Sequence, residues 1–464
     1  MALFKPDQSF YPSPRMAMQA PSEKLAYVAA LSPTVNGKAD AMTVVDIDPD
    51  SNRYGQIVGT TELPYAGDEL HHFGWNACSS ALCPYAAHPH MERRYLVVPG
   101  LRSSRIYIMD IKSNPRKPEI IKVIEPEEVF ERSNYSRLHT VHCGPEGIYV
   151  GALGAPNGDG PGGVLLLDHD SFEVLGQWEM DRGPQYLSYD FWWHLGHDAM
   201  ITSEWGTPKM VEDGLIPERL LNGEYGHQLH FWDLRKRCHV QAVDLGAEQQ
   251  IVLELRAAHD PTKAYGFAGV VLSLKDLSAS VFLWHQNNGG WDAQKVIEIP
   301  AEPASEEDLP PALKPFKAVP PLVTDINLSL DDKFLYVSCW GTGEMQQYDV
   351  SDPFNPKKTG SVRLGGIVNR TPHPKNPNKS LNGAPQMVEV SKDGKRVYFT
   401  NSLYRSWDDQ FYPDGIESWM AKLDVNRDGG INLDPDFFVE FDGYRAHQIR
   451  LENGDCSSDS FCYS

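Results

Sequence analysis

Short apolar runs that end in aspartate recur along the chain, and each is followed by a polar turn and a second β-rich run. Because side chains alternate between the two faces of a strand, each pair of runs predicts a β-hairpin. The repeated position recurs every 52 to 75 residues and is occupied by Asp46, Asp110, Asp168, Asp233, His285, Asp349 and Asp424. The pattern therefore indicates seven copies of one unit.

A second kind of hairpin precedes these copies. It is clearest in residues 190–206 and 325–341, which align without a gap, and residues 387–403 fit the same frame around a KDGK turn. Two hairpins in each repeat make a four-stranded unit. Seven such units without helical periodicity between them predict an all-β chain folded as a seven-bladed β-propeller.

The two ends of the chain carry unpaired strand patterns. Residues 24–31 resemble the second strand of a unit that lacks its first strand, and residues 446–455 resemble a lone first strand. We therefore expect the N- and C-terminal strands to share one blade and close the ring, which removes exposed sheet edges. Residues 24–464 would form this single propeller domain, with residues 1–23 as an N-terminal extension. Two stacked β-sandwich domains are the alternative, but they leave the unpaired strands unexplained.

Composition supports this fold and excludes some partners. The 38 glycines and 35 prolines among 464 residues suit many short strands, and the formal net charge of −21 argues against a nucleic-acid partner. The sequence shows neither the apolar core of a secretory leader nor an apolar stretch long enough to span a membrane. We therefore expect a cytoplasmic protein. Seven cysteines, an odd number, predict no disulfide framework, so most should be reduced.

The first strand of every propeller blade runs along the central channel, so residues at one register of these strands should converge. The position that corresponds to Asp325 can be located in the other repeats by aligning their inner strands. Six blades then carry a polar residue at a similar depth in the channel, namely His71 and His72, His139, Asp190, Glu254, Asp325 and His447. The seventh blade has Met387 beside Gln386 at this position. Imidazoles favour copper, zinc, iron or nickel over calcium or magnesium. The expected metal ligands are His71, His72, His139 and His447.

The carboxylates of the channel and the remaining histidines have other expected roles. Carboxylates within reach could orient the imidazoles or act as acid and base. His142 lies three residues after His139 and should face another way, which leaves it as a reserve ligand at best. His194, His197 and His259 should lie away from the channel mouth and serve the structure.

Cys78 follows the histidine pair, and Cys83 lies in the loop beyond it. The Cys-x4-Cys spacing is looser than that of a zinc knuckle or a redox Cys-x-x-Cys pair. Two interpretations stay open for Cys78, a partly exposed reactive thiol whose pKa a nearby cation or metal lowers, and a buried apolar cysteine. Cys456 and Cys462 lie at the C-terminus, where the closing strand would bring Cys456 to the blade beside Cys78.

Several segments together resemble the selenium-binding protein family, whose members include the methanethiol oxidases. They include DELHHFGWNACSS, LHTVHC, YDFWWHLGHDAMITSEWG, LSLDDKFLYVSCW, GAPQMVEVSKDGKRVYFTNSLY and GDCSSD, and they extend from about residue 20 to the C-terminus. The resemblance implies a seven-bladed propeller and copper as the metal. It also implies oxidation of methanethiol by dioxygen and water to formaldehyde, hydrogen sulfide and hydrogen peroxide.

Carried over residue by residue, the resemblance places the histidines of the family on His71, His72, His139 and His447, and its selenium-associated cysteine on Cys78. The Cys-Ser-Ser-Cys that is usual in the family is replaced by CSSALC in this chain, so the second thiol is displaced.

The working hypothesis is a copper-dependent thiol oxidase with a small thiol and O2 as substrates, in which Glu254 or Asp325 takes the thiol proton. The alternatives are a non-catalytic selenium carrier that uses Cys78, and another propeller oxidoreductase or lactonase with a divalent metal. Nothing in the sequence fixes the oligomeric state.

Overall fold

A computed structural model describes residues 5–34 and 37–464. Residues 1–4, the start of the expected N-terminal extension, lie outside the described part. Seven four-stranded antiparallel sheets dominate the structure, and each is one blade of a β-propeller. The prediction of a seven-bladed, all-β propeller is confirmed.

The C-terminal strand completes blade 1. Its innermost strand is Arg445–Leu451, followed outward by Leu25–Leu31, Ala41–Asp46 and Ile57–Glu62. Tyr27 pairs with Arg450 and Val28 with Ile449 in an antiparallel register. The two ends of the chain therefore close the ring within one sheet, as the unpaired strand patterns predicted.

The other six blades are continuous in sequence, and the strands of each follow one another from the channel outward. Blade 2 contains Gly74–Trp75, Tyr95–Pro99, Ile106–Asp110 and Glu119–Ile124, and blade 3 contains Ser136–Cys143, Ile148–Gly154, Gly163–Leu167 and Val174–Gln177. Blade 4 contains Phe191–His194, Ala199–Thr202, Gln228–Asp233 and Cys238–Asp244. Blade 5 contains Gln249–Ala257, Tyr265–Ser273, Ala279–Asn287 and Gly290–Ile299, and blade 6 contains Val323–Leu328, Phe334–Cys339, Glu344–Asp349 and Lys357–Arg363. Blade 7 contains Val388–Val390, Arg396–Thr400, Trp419–Val425 and Ile431–Glu440.

Short elements fill the connections between these strands. Two small ribbons pair Glu302–Pro303 with Ala318–Val319 and Pro372–His373 with Asn376–Ser380. The α-helices are Pro14–Ala17, Pro126–Ser133, Pro208–Val211, Pro217–Leu221 and Arg405–Phe411, and 3-10 turns span Ser79–Leu82, Leu195–His197 and Lys314–Phe316. Among the described residues, no helix is long and apolar enough to cross a membrane.

The repeated aspartate has a structural role at the end of the third strand of a blade. Asp46 Oδ1 accepts the backbone N–H of Asp48, and Asp110 Oδ1 accepts that of Lys112. Asp168, Asp233 and Asp349 each accept the N–H of the residue two positions further on in the same way. This Asx turn starts the connection to the outer strand.

Blade 5 has no aspartate at the repeat position, because its outer hairpin is closed by a different type of turn. Asn287 pairs with Gly290, and the two residues between them, Asn288 and Gly289, have φ angles of 47° and 83°. This is the Asn-Gly turn whose twist matches a two-residue hairpin. No aspartate is needed to start it, so His285 can occupy the repeat position within the strand.

Apolar side chains pack between neighbouring blades, whereas the channel end of the inner strands is polar. One buried cluster joins blades 2 and 3 through Val97, Ile108, Val150 and Leu165. Buried polar residues of the inner strands include His139, Glu254, Arg256, Asp325 and His447. The packing of the blades therefore leaves the channel as the place where polar side chains from different blades meet.

Candidate metal centre

Four buried histidines from blades 1, 2 and 3 meet in the channel. His71 and His72 immediately precede the inner strand of blade 2, His139 lies in that of blade 3, and His447 lies in the terminal strand of blade 1. All four are at most 2% exposed. The structure thus brings together the four residues that the sequence predicts as metal ligands.

The four rings pack closely in two pairs. The ring centroids of His71 and His447 are 3.5 Å apart, and those of His72 and His139 are 3.9 Å apart. One ligand atom from each of His71, His72 and His447 lies within 4.8 Å of the others. The Nδ1 atom of His71 is 2.9 Å from Nε2 of His139. One cation could therefore contact His71, His72 and His447, and His139 adjoins this group through His71.

Hydrogen bonds to backbone carbonyls determine which ring nitrogens carry protons. His71 Nε2 lies 2.7 Å from the Leu403 carbonyl oxygen, and His447 Nδ1 lies 2.6 Å from that of Ser402. Since a carbonyl only accepts, these two nitrogens must donate. The opposite nitrogens, Nδ1 of His71 and Nε2 of His447, are then lone-pair donors to a metal.

The same reasoning applies to His139. Its Nδ1 atom is 3.0 Å from Thr140 Oγ1, and the Thr140 hydroxyl donates to Asp190 Oδ1 at 2.9 Å. Thr140 must therefore accept from His139, which leaves Nε2 of His139 without a proton. The 2.9 Å contact between His71 and His139 then joins two bare nitrogens with no proton between them. A cation placed against both nitrogens satisfies them.

Two further ring nitrogens are buried without a partner. Among the described residues, neither Nε2 of His72 nor Nε2 of His447 has a hydrogen-bond partner. An unsatisfied buried nitrogen is costly unless it binds something. Burial also lowers the pKa of His71 to about 3 and the pKa values of His72, His139 and His447 well below the usual value. The imidazoles are therefore neutral at pH 7, the form that binds metals.

A carboxylate network begins beside the imidazoles. Glu254 Oε1 is 3.6 Å from His72 Nε2 and accepts the Tyr189 hydroxyl at 3.2 Å. Its other oxygen, Oε2, accepts from Arg256 Nη1 at 3.1 Å, and Arg256 Nη2 donates to Asp325 Oδ1 at 3.2 Å. Glu254 is thus next to the imidazoles, whereas Asp325 lies on the far side of Arg256.

Asp190 also pairs with Arg256, with 3.6 Å between its Oδ2 atom and Nη1 of the arginine, so three carboxylates surround one guanidinium group. Burial raises the pKa of Asp325 to about 7, that of Glu254 well above its usual value, and that of Asp190 as well, while Arg256 opposes the rise. This network can hold a proton near neutral pH.

Thr140, Tyr189 and Arg256 were missed by the sequence reasoning. A sequence signal existed for Arg256, which lies two positions after Glu254 in one strand.

Cys78 occupies a different place. It is 1% exposed, so the interpretation as a partly exposed thiol is wrong. Its sulfur contacts Ser80 Oγ at 3.0 Å and the Cys143 carbonyl oxygen at 3.6 Å. Burial raises the pKa of Cys78, but hydrogen bonds from Cys143 and Ser80 outweigh this effect and lower it overall.

Cys83 pairs with Cys462 in a disulfide that joins positions 379 residues apart. Five cysteines are free thiols, as expected for most of them, but the sequence reasoning missed this one bond. Cys456 packs instead with the cluster of blades 6 and 7. Because disulfides are rare inside mesophilic cells and frequent in those of hyperthermophiles, the cytoplasmic location stays a prediction.

The other histidines make structural contacts. His142 packs edge-on against Trp192, with ring centroids 4.3 Å apart. His259 Nε2 lies 3.0 Å from the Leu328 carbonyl oxygen, and His194 Nε2 hydrogen-bonds the Lys263 carbonyl. These contacts agree with the structural roles expected for His194 and His259.

Fold and site together define a seven-bladed β-propeller with a buried histidine cluster at one end of its channel. The chain belongs to the 56kDa selenium binding protein (SBP56) family, whose profile matches residues 4–462. It is 40% identical over 475 residues to the "Methanethiol oxidase" of Xenopus tropicalis, with 97% of each chain covered. It is 39% identical over 475 residues to the "Selenium-binding protein 2" of Mus musculus, again with 97% of each chain covered.

A solved structure of a hypothetical selenium-binding protein from Sulfolobus tokodaii is 61% identical and matches with a TM-score of 0.96, covering 99% of this chain and all of that one. The family resemblance inferred from the sequence is confirmed.

Proposed function

We propose that the protein is a methanethiol oxidase, which converts methanethiol, O2 and water to formaldehyde, hydrogen sulfide and hydrogen peroxide. Relatives that carry this name are 38–40% identical to the chain and match 97% of its length. The structural observation that carries the proposal is the pair of bare nitrogens of His71 and His139, 2.9 Å apart.

Copper fits the donors that the channel offers. Imidazoles are good ligands for copper, and the unpartnered nitrogens of His72 and His447 add two donors to the facing pair. We propose His71, His72, His139 and His447 as the ligands. When bound, copper would supply a soft site for the substrate sulfur and a route for electrons from the thiol to dioxygen.

The chain itself would manage the protons. Glu254 is the carboxylate within reach of the imidazoles, and we assign it the thiol proton. Tyr189 orients its Oε1 atom, and Arg256 holds its Oε2 atom. Asp325, bound to the same guanidinium, is the second proton-holding group that we propose.

An apolar pocket that is linked to the histidines through Leu403 suits a methyl group. It is lined by Trp205, Leu253, Leu322, Trp340 and Trp407, and it reaches Leu403, whose carbonyl holds His71. Aromatic and aliphatic side chains exclude water and offer a small alkyl group dispersion contacts. The pocket therefore favours a short alkyl thiol over a polar or charged one.

Oxygen uptake tests the proposal. Copper-loaded protein should consume O2 only when methanethiol is added and should release sulfide and peroxide in equal amounts. His72→Ala should abolish this uptake, while His142→Ala, which changes a buried histidine outside the cluster, should retain it. Absence of thiol-dependent uptake in copper-loaded protein would overturn the proposal.

Selenium carriage through Cys78 is a second candidate function. Membership of a selenium-binding protein family and the lowered pKa of Cys78 favour it. Protein equilibrated with selenite and glutathione should then retain selenium, Cys78→Ser should lose it, and His72→Ala should keep it. Equal retention by the wild type and Cys78→Ser would reject a carrier role for this thiol.

A further inference from the structure

A second cluster of side chains of the kinds that bind metal ions lies at the other end of the propeller. It consists of His88, Cys143 and His169, whose ligand atoms all lie within 4.8 Å of one another. Cys143 ends the inner strand that carries His139. Because a strand rises about 3.3 Å per residue, the four intervening steps put roughly 13 Å between these two backbone positions. The cluster is therefore separate from the histidines of the channel.

Two connections on the same face of the ring bring the histidines to Cys143. His88 lies between the first and second strands of blade 2, and His169 follows the third strand of blade 3. In a four-stranded antiparallel blade, both of these connections leave at the end where the inner strand finishes. The topology thus brings together three residues that are distant in sequence, and all three are at most 8% exposed.

The distances within the cluster match the edges of a tetrahedral metal site. Cys143 Sγ lies 3.4 Å from His88 Nε2 and 3.7 Å from His169 Nε2. Metal–sulfur and metal–nitrogen bonds of about 2.3 and 2.0–2.1 Å at a tetrahedral angle give sulfur–nitrogen edges of about 3.6 Å. The two imidazoles stack with centroids 4.2 Å apart, so both present Nε2 to the same sulfur. No backbone movement is needed to place one ion against all three atoms.

A fourth donor lies close to this triad. Ser80 Oγ is 3.4 Å from His88 Nε2 and 3.9 Å from Cys143 Sγ, and it contacts Cys78 Sγ at 3.0 Å. The Cys78 thiol also interacts with the Cys143 thiol through a side-chain hydrogen bond. Nδ1 of His88 is buried, and no described residue hydrogen-bonds it. The triad therefore has a second thiol in reach and an unpartnered nitrogen on one of its rings.

We propose that His88, Cys143 and His169 bind a thiophilic metal ion, Zn²⁺ or Cu⁺, with Cys78 as the fourth ligand. Thiolate and imidazole together select these ions over Mg²⁺ and Ca²⁺. Binding releases the thiol protons to solvent and changes no oxidation state. Four protein ligands leave no open position, which is typical of structural rather than catalytic sites. The ion cross-links blades 2 and 3.

A surface pocket gives the ion access. Ser80 and His88 line its floor, and its rim includes the fully exposed Tyr85 and the disulfide partners Cys83 and Cys462. The disulfide anchors the segment that presents His88 to the cluster. The proposal therefore includes a route from solvent that does not pass through the channel.

Cobalt(II) is the probe for this site, because a cysteine thiolate bound to Co²⁺ gives a charge-transfer absorption band that imidazoles alone do not give. We expect this band in the metal-free wild type titrated with Co²⁺ under anaerobic conditions. Cys143→Ser should weaken the band, because one of the two proposed thiolate ligands is lost, and the double variant Cys78→Ser/Cys143→Ser should lose it. Cys339→Ser, which removes a buried free thiol elsewhere, should keep it. His447→Ala should also keep it, so this result is independent of the channel metal and of the proposed oxidase activity.

Competition with Zn²⁺ and with Cu⁺ then identifies the ion that binds more tightly. His169 lies in a turn, so the His169→Ala variant should fold. Because it lacks one ligand, its affinity for the metal should fall by at least about 100-fold, since loss of a residue that only supports a ligand already costs 10–100-fold in metal affinity. A wild type without the band overturns the proposal. So does a band that persists in both Cys143→Ser and His169→Ala with unchanged affinity.

Discussion

His72 and Glu254 come from blades 2 and 5, yet Nε2 of the histidine and Oε1 of the glutamate lie 3.6 Å apart across the channel. This contact joins the imidazole cluster to the carboxylates around Arg256. The imidazoles that could bind a metal and the groups that could hold a proton therefore form one continuous network. Glu254 links its two halves directly, and Thr140 links His139 to Asp190.

Glu254→Gln should retain copper and lose turnover. The amide keeps the shape of the side chain but cannot accept the thiol proton, so we expect kcat for methanethiol-dependent O2 uptake to fall by about 100-fold. Copper content per chain should stay at the wild-type value. Glu23→Gln is the matched control, because Glu23 is also buried and paired with an arginine, but its partner is Arg396 and not Arg256. Full activity in Glu254→Gln would remove the glutamate from the mechanism.

His447→Ala should lose the channel metal. It removes one unpartnered nitrogen and the ring that stacks on His71, so copper binding should weaken by at least about 100-fold. Copper content after dialysis against a chelator is the measurement. His142→Ala should keep its copper, because its ring packs against Trp192 instead. Equal copper loss in both variants would indicate a structural effect and not the loss of a ligand.

The Cys83–Cys462 bond should stabilise the ring. It ties a loop of blade 2 to the C-terminus and restricts the unfolded chain over most of its length. Cys83→Ser should lower the free energy of unfolding by about 2–5 kcal/mol. Thermal denaturation with and without a reductant is the check. The reductant should lower the melting temperature of the wild type and leave that of Cys83→Ser unchanged, and equal shifts in both proteins would contradict the assignment.

Asp110 should stabilise the fold in a pH-dependent way. Burial disfavours its charge, but hydrogen bonds from Arg94, Ser113 and Lys112 outweigh this and lower the pKa of Asp110 to about 2. A lowered pKa in the folded state means that the contribution is complete above pH 4 and is lost as the pH falls towards 2. Asp110→Asn should therefore be less stable than the wild type at pH 7, and the difference should shrink over this window.

Urea denaturation at a series of pH values measures this effect. Asp424→Asn is the control, because Asp424 occupies the same repeat position but is largely exposed and pairs with Lys422. At pH 7, the urea midpoint of Asp424→Asn should differ less from the wild-type midpoint than the midpoint of Asp110→Asn does. If the difference in stability between the wild type and Asp110→Asn stayed constant from pH 7 to pH 2, the role of the carboxylate would be contradicted.

The repeat unit was readable from the sequence because it depends on local chemistry. Asp46 and Asp110 close turns with residues two positions away, so the requirement recurs wherever the turn recurs. His285 coincides with an Asn-Gly turn that needs no aspartate, and Asp424 pairs with Lys422 instead of closing such a turn. The convergence of the channel histidines followed from the same regularity, because equal register on the inner strands means equal depth in the ring.

Contacts between connections were not readable in this way. Cys83 and Cys462 lie in loops whose paths no periodicity describes, and Cys78 gave no sign of whether it was buried. The cluster of His88, Cys143 and His169 likewise joins two loops to one strand end. None of these residues has a local partner that would mark it in the sequence.

The sequence by itself determined the number of blades, the closure of the ring and the register of the inner strands, because strand alternation and turn chemistry act between residues close together in the chain. Only the tertiary structure decided which nitrogens of the histidines are bare, which carboxylate reaches His72, and where the sulfur atoms lie. Those properties depend on atoms that close packing brings within 4 Å from distant parts of the chain, and no local pattern encodes such distances.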